Sequence, residues 1–191
     1  MSRLDDQMAF LTEAEKLRGI LRATAIGDGS RPENSGEHSW HIALYALILG
    51  EHAPKGVRID RVIRMLLIHD IVEIDAGDVP LYLQTADNLP VIEAAERRAA
   101  DRIFGLLPED QASDLLDLWQ EFEAAETPDA VFAKSLDRFQ PPNLNLASGG
   151  GSWKTYDVTY DILDARVGRP VRRGAPALWD WIAPKIRAIL G

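Results

Sequence analysis

The sequence predicts an all-α protein, and three observations carry that prediction. Apolar residues recur at helical spacing along most of the chain, as in Met8, Leu11, Ala14, Leu17 and Leu21, or Leu178, Trp181, Ile182, Ile186 and Ile189. No stretch alternates apolar and polar residues as a half-buried strand would. Glycines and prolines gather in short groups between the periodic stretches, where helices start and stop.

Taken in order, Asp6 to about Ala23 reads as the first helix, followed by a loop at Gly27-Asp-Gly-Ser-Arg-Pro32. Asn34 or Ser35 caps the second helix, with Glu37 in its first turn, where the helix dipole favours a carboxylate. That helix runs to about His52 and ends at Ala53-Pro-Lys-Gly56. A third spans Asp60 to about Glu73. An irregular connection from Asp75 to about Leu89 leads to a fourth helix, Val91 to Leu107, whose Glu93, Glu96, Arg97, Arg98 and Asp101 form a charge-laced face. A fifth helix opens at Pro108 and runs to about Glu126, burying Leu115, Leu118, Trp119 and Phe122. Thr127-Pro-Asp129 opens a sixth, which ends near Phe139 because Pro141-Pro142 stops it. Ser148-Gly-Gly-Gly-Ser152 reads as a flexible loop, with Trp153 free to stack on a base. Helices over Val158 to Val167 and Ala175 to Leu190 complete the chain.

Composition narrows the function. The chain has 191 residues and no cysteine, so disulfides and thiolate metal sites are excluded; a metal here uses imidazole, carboxylate and water. The net charge is −9 and no basic run stands out, which argues against a nucleic-acid partner. No apolar run is long enough to span a bilayer, and the acidic start lacks a signal-peptide pattern, so a cytoplasmic protein with no membrane partner is expected.

The chemistry centres on Met65-Leu-Leu-Ile-His-Asp-Ile-Val-Glu73 and Ile74-Asp-Ala-Gly-Asp-Val-Pro80. Ionisable groups set in such an apolar run need partners or a metal, because burying charge alone costs several kcal/mol or more. His69 and Asp70 therefore read as two ligands of one cation. Only four histidines exist, and His38 on the preceding helix can reach the same point. Asp137, in Phe132-Ala-Lys-Ser-Leu-Asp-Arg138, closes the set: aspartate is a poor helix former, and this one falls among apolar residues. His41 reads as a packing or supporting residue, and His52 as a solvated residue at a helix end.

His38, His69-Asp70 and a late Asp137 together resemble the HD superfamily of metal-dependent phosphohydrolases. Three segments bring the resemblance to its 5'-deoxynucleotidases: Glu33-Asn-Ser-Gly-Glu-His-Ser39, His69-Asp-Ile-Val-Glu-Ile-Asp-Ala-Gly-Asp-Val-Pro80 and Lys134-Ser-Leu-Asp137. It implies one HD-type helical bundle over 1–191, with a motif core of about 10–141. It implies His38, His69, Asp70 and Asp137 around one divalent ion (Mn, Co, Mg, Fe, Ni or Zn), and Glu73 and Asp78 as catalytic carboxylates. Arg22 would bind the phosphate, with Arg31 able to replace or assist it. The family carries a tryptophan immediately or shortly after that arginine, whereas this chain reads Leu21-Arg-Ala-Thr-Ala25. The implied activity is hydrolysis of a small phosphomonoester, a (deoxy)nucleoside 5'-monophosphate, by a homodimer. Two other readings stay open. One is a nucleotide-binding module without turnover. The other is a di-iron oxygenase, which needs more histidine ligands than this chain offers.

Overall fold

Helix α1 (Arg3–Ala14) begins at a capping box: Ser2 Oγ accepts the Asp5 amide at 3.2 Å, and the Asp5 carboxylate accepts the Ser2 amide at 2.7 Å. The structure, a computed structural model, describes residues 2–191. A 3-10 turn (Glu15–Gly19) ends the first helical segment. The next residues depart from expectation. Leu21–Ala25 is strand β1, paired antiparallel with β2 (Pro32–Asn34) in the register Leu21 to Asn34 and Ala25 to Pro32. The expected helix to Ala23 and the expected absence of strands are both corrected. Leu17 is buried but Leu21, which continues its spacing, is 62% exposed. Turn chemistry closes the hairpin: Asp28 accepts the Ser30 amide at 2.9 Å, and Gly29 takes φ +71°.

Asn34 and Glu37 form the capping box of α2 (Ser35–Leu49). The expected third helix is divided into α3 (Ile59–Ile68), a 3-10 turn (His69–Val72) and α4 (Glu73–Ala76), which closes at Gly77 with φ +76°. The change from 3.6 to 3.0 residues per turn re-aims the side chains. Met65 and Leu66 enter one apolar core with α2 and α7, whereas Ile71 and Val72 enter a second with α1 and α5. His69 and Asp70 lie at the seam between the two.

Helices α5 (Leu89–Phe104) and α6 (Glu109–Ala124) follow, and Trp119 and Phe122 are core residues as expected. Helix α7 (Pro128–Ala147) does not stop before Pro141-Pro142 but runs through both. The prolines remove the helical partners of the Asp137 and Arg138 carbonyls, while buried Pro142, Leu144 and Asn145 hold the last turns in place. Ser148–Ser152 is an ordered turn rather than a flexible loop. Asn145 Oδ1 accepts the Ser152 amide at 2.9 Å, and the Asn145 carbonyl accepts the Gly150 amide at 2.7 Å. Trp153, on α8 (Gly151–Thr155), is buried in the core rather than free to stack on a ligand. The helix expected over 158–167 is split between α9 (Tyr160–Leu163) and a π-helical turn (Asp164–Gly168). Helices α10 (Arg169–Gly174) and α11 (Pro176–Leu190) complete the all-α bundle. Among the described residues no helix is long and apolar enough to cross a membrane.

Candidate metal centre and substrate pocket

His38 on α2, His69 on the 3-10 turn and Asp137 on α7 each turn one ligand atom to a common point, all within 4.8 Å of one another. His38 Nε2 is 3.1 Å and His69 Nε2 3.7 Å from Asp137 Oδ1. Asp70 stands at the edge of this trio. Its Oδ1 is 2.8 Å from His69 Nε2, and its Oδ2 accepts Arg22 Nη1 at 2.8 Å.

The tautomers are fixed from behind. His69 Nδ1 donates to the Leu66 carbonyl at 3.0 Å, and His38 Nδ1 donates to Gln140 Oε1 at 3.2 Å. In the neutral imidazoles both Nε2 atoms therefore present lone pairs to carboxylate oxygens. His69 Nε2 is buried without a hydrogen-bond partner. Lone pairs facing lone pairs in a buried site require positive charge between them. The separations suit neighbouring ligands of one ion, since two bonds of ~2.1 Å at a right angle end ~3 Å apart. With N and O donors alone, the set fits a divalent cation.

Electrostatics point the same way. Burial lowers the His69 pKa, but Asp70 and Asp137 override it and raise the imidazole to about 10. For Asp137, burial is outweighed by the two imidazoles and its carboxyl is held well below its usual range. The cluster thus demands a cation, proton or metal.

Sequence reasoning missed Gln140 and Glu33. Gln140 is fully buried. Its Nε2 donates to Glu33 Oε2 at 2.9 Å and to His41 Nδ1 at 3.1 Å while its oxygen holds His38. Both N–H groups and the oxygen of the amide are engaged, so its orientation is determined. Gln140 lies three residues beyond Asp137 on the same helix face, the one signal that pointed to it. Glu33 lies inside the quoted first-histidine segment and stands 3.3 Å from His38 Nδ1. His41 supports the site through Gln140, as expected.

The hairpin delivers Arg22. Its Nη1 lies 3.7 Å from Glu73 and 3.9 Å from Asp78, its Nε 3.4 Å from Glu33, and that Nε has no hydrogen-bond partner. Glu73 is buried and accepts the Ser35 hydroxyl at 2.5 Å. Burial and the neighbouring Asp70 raise its carboxyl to about 9. Asp78 is also raised, by burial first. Arg31 is not in the site. It is half-exposed and forks onto Glu37 at 2.7 and 2.8 Å, because the hairpin loop carries it outward.

These groups open onto a cleft of about 230 Å³. Arg22 and Asp78 line one part; Glu96, Glu123 and Lys134 line another. Lys134 sits 4.0 Å over the Phe122 ring, which packs edge-on to His69 at 4.9 Å. The second group is thus one aromatic ring away from the cluster.

Comparison with known proteins gives concordant findings. A family profile described as an HD domain matches residues 14–179. The human 5'-deoxynucleotidase HDDC2 is 34% identical over 134 residues, and its cattle counterpart 36% over 135. Each match covers 69% of this chain but 62% of the relative's own length. A crystal structure of a predicted metal-dependent phosphohydrolase from Magnetospirillum magnetotacticum superposes with a TM-score of 0.91 at 48% identity, covering 99% of this chain and 96% of that one. A conserved hypothetical protein from Pyrococcus furiosus, at 21% identity and a TM-score of 0.61, shares the fold.

Proposed function

Because the chain belongs to the HD-domain family, we propose that it is a divalent-metal-dependent phosphohydrolase acting on a small phosphomonoester, a (deoxy)nucleoside 5'-monophosphate. The observation that carries this reading is the pair of oriented imidazole lone pairs facing Asp137 and Asp70, with Arg22 beside them at the foot of a cleft. The names of the HDDC2 relatives and of the Magnetospirillum protein support it.

In this reading His38, His69, Asp70 and Asp137 hold one ion. When bound, it supplies Lewis acidity toward a phosphoryl oxygen and an activated water. The chain's own residues do the rest. Arg22 exchanges a carboxylate partner for a phosphate oxygen, using the forked geometry that suits a dianion. Burial favours the protonated form of the Glu73 carboxyl, so it can donate to the leaving sugar oxygen. Ser35 fixes the carboxyl's rotamer. Asp78 orients the leaving group from the wall of the cleft. The proposal takes residues 1–191 as a single domain in the cytoplasm. It includes a homodimer formed through the exposed apolar faces of α2 and α11.

The test loads the purified protein with each candidate metal and measures phosphate release from a panel of ribo- and deoxyribonucleoside monophosphates. Release is expected, and both His69→Ala and Asp70→Ala should abolish it. Full activity in Asp70→Ala would show the wrong site. Nucleotide binding without release under any metal would favour the non-catalytic nucleotide-binding module.

A further inference from the structure

We propose that Arg166 is a positioning residue that clamps the loop carrying Asp78 and Tyr82 over the cleft, and so sets how well the phosphomonoester is held. The inference rests on the phosphohydrolase reading for its effect on activity. The clamp itself rests on geometry alone.

The loop from Gly77 to Asn88 supplies much of one cleft wall, including Asp78, Leu81, Tyr82 and Gln84. Yet no residue from 77 to 89 is buried. Leu81 and Tyr82 pack on the core but stay only partly buried, and a long irregular connection so lightly anchored opens locally unless something else holds it. Its internal bonds give it shape but not position: Leu83 N–H donates to the Pro80 carbonyl at 2.8 Å, Gln84 Nε2 to the Val79 carbonyl at 2.9 Å, and Asn88 Nδ2 to the Leu83 carbonyl at 2.9 Å.

Asp78 itself meets the Ala23 amide and Arg22 of the hairpin; beyond it, the outside anchor of the loop comes from the C-terminal helices. Arg166 Nη1 donates to the Leu81 carbonyl at 2.7 Å, and Nη2 donates to the Gln84 carbonyl at 2.6 Å. These two bonds tie the backbone of residues 80–84 to another part of the molecule, and the Tyr82 hydroxyl also meets Trp153 on α8. The Gln84 side chain then passes the constraint to Val79, the residue next to Asp78. Tyr82 stacks toward Tyr156 at 5.9 Å, on the same C-terminal wall.

Arg166 is itself held. It occupies the π-helical turn Asp164–Gly168, a form that inserts an extra residue and redirects side chains, often at functional sites. Asp164, at the start of the turn, is forked by Arg172 at 2.7 and 3.0 Å. Gly168, at its end, lies so close to Trp179 that an added Cβ would stand 2.6 Å from the ring. Among the described residues Arg166 has no carboxylate partner within ion-pair reach, and its two hydrogen bonds go to backbone carbonyls. Its planar fork is spent on two backbone carbonyls, a geometry a lysine ammonium does not reproduce.

The test compares wild type, Arg166→Ala, Asp78→Asn and the double variant, all loaded with the metal that supports activity. Arg166→Ala should lower kcat/KM roughly 10- to 100-fold, mostly through KM, as expected when a contacting group shifts by about 1 Å. Metal content and melting temperature should stay near wild type, and Arg166→Lys should restore little. In the double variant the Arg166 effect should largely vanish, because the clamp acts through the loop that carries Asp78. Hydrogen exchange at amides 80–88 should accelerate in Arg166→Ala whether or not the protein turns over substrate. Unchanged exchange, unchanged kinetics or full additivity with Asp78→Asn overturns the clamp. A wild-type protein that hydrolyses no phosphomonoester overturns the phosphohydrolase reading instead, and exchange alone then decides the clamp.

Discussion

Gln140 carries no charge and does not line the cleft, yet three site residues depend on its one amide. Gln140→Leu keeps a buried side chain of similar size but removes the amide that holds His38 Nδ1 and Glu33, leaving the two only each other at 3.3 Å. Loss of such an outer hydrogen bond typically costs about 10- to 100-fold in metal affinity; a chelator competition should show that loss here while the helical circular dichroism stays unchanged. Glu96 gives a different residue-scale prediction. Burial and then Glu123 raise its carboxyl to about 7, from an ordinary 4.5. The unfolded chain releases this proton near 4.5 and the folded chain only near 7. The group's penalty is therefore absent below about 4.5, grows between 4.5 and 7, and is complete above 7. Glu96→Gln should raise stability at pH 8 by roughly 1 kcal/mol after allowing for partial solvent screening, and by much less at pH 5. Equal gains in denaturant melts at the two pH values would contradict this. The convergence of His38, His69 and Asp137 was legible in the sequence, because histidine and aspartate inside apolar runs are rare enough to demand a reason. Gln140 and Glu33 were not singled out, because a neutral amide or an extra carboxylate has no such signature until the partner is known.

At the scale of elements, spacing located most of the helices but not their internal breaks. The change at His69 from α-helix to 3-10 turn serves two separate cores, and a single sequence does not reveal which core each apolar pair will join. The hairpin β1–β2 escaped notice because Leu17 and Leu21 continue a helical period that the exposed Leu21 does not use. A lone two-stranded hairpin is marginal in water; this one is held by Arg22 and Glu33, which stand 3.4 Å apart in the site. Proline at 141 and 142 suggested a helix end, but burial of the following turn overrode the local rule. The triple glycine suggested mobility, whereas Gly149, Gly150 and Gly151 all adopt positive φ to make one defined turn. An added Cβ at Gly151 would stand 2.3 Å from Asn145 Oδ1, the atom that accepts the Ser152 amide. Gly151→Ala should therefore cost about 2 kcal/mol. That corresponds to a fall of about 4–8 °C in melting temperature for a chain of this size, measurable by calorimetry.

Across the whole molecule, charge and apolar surface divide in a way that bears on assembly. Each chain carries −9, so two copies repel over most of their surface. From His38 to Gly50 there is no Asp, Glu, Lys or Arg. Along that stretch Trp40, Leu47 and Ile48 are 62%, 62% and 65% exposed, and Trp181 of α11 is 54% exposed. An apolar face of this kind on an acidic chain is where a second copy meets the least repulsion and gains the most from excluding water. The signs of two effects then separate the proposed dimer from an ionic one. Screening weakens the repulsion between protomers and leaves apolar burial intact, so dimerisation should tighten between ~20 mM and ~300 mM salt. Leu47→Arg and Trp181→Arg should each shift sedimentation toward the monomer at both salt concentrations, with the metal retained, because neither side chain borders the cleft. A wild-type chain that sediments as a monomer throughout, or a dimer that weakens with salt, would exclude this face as the contact.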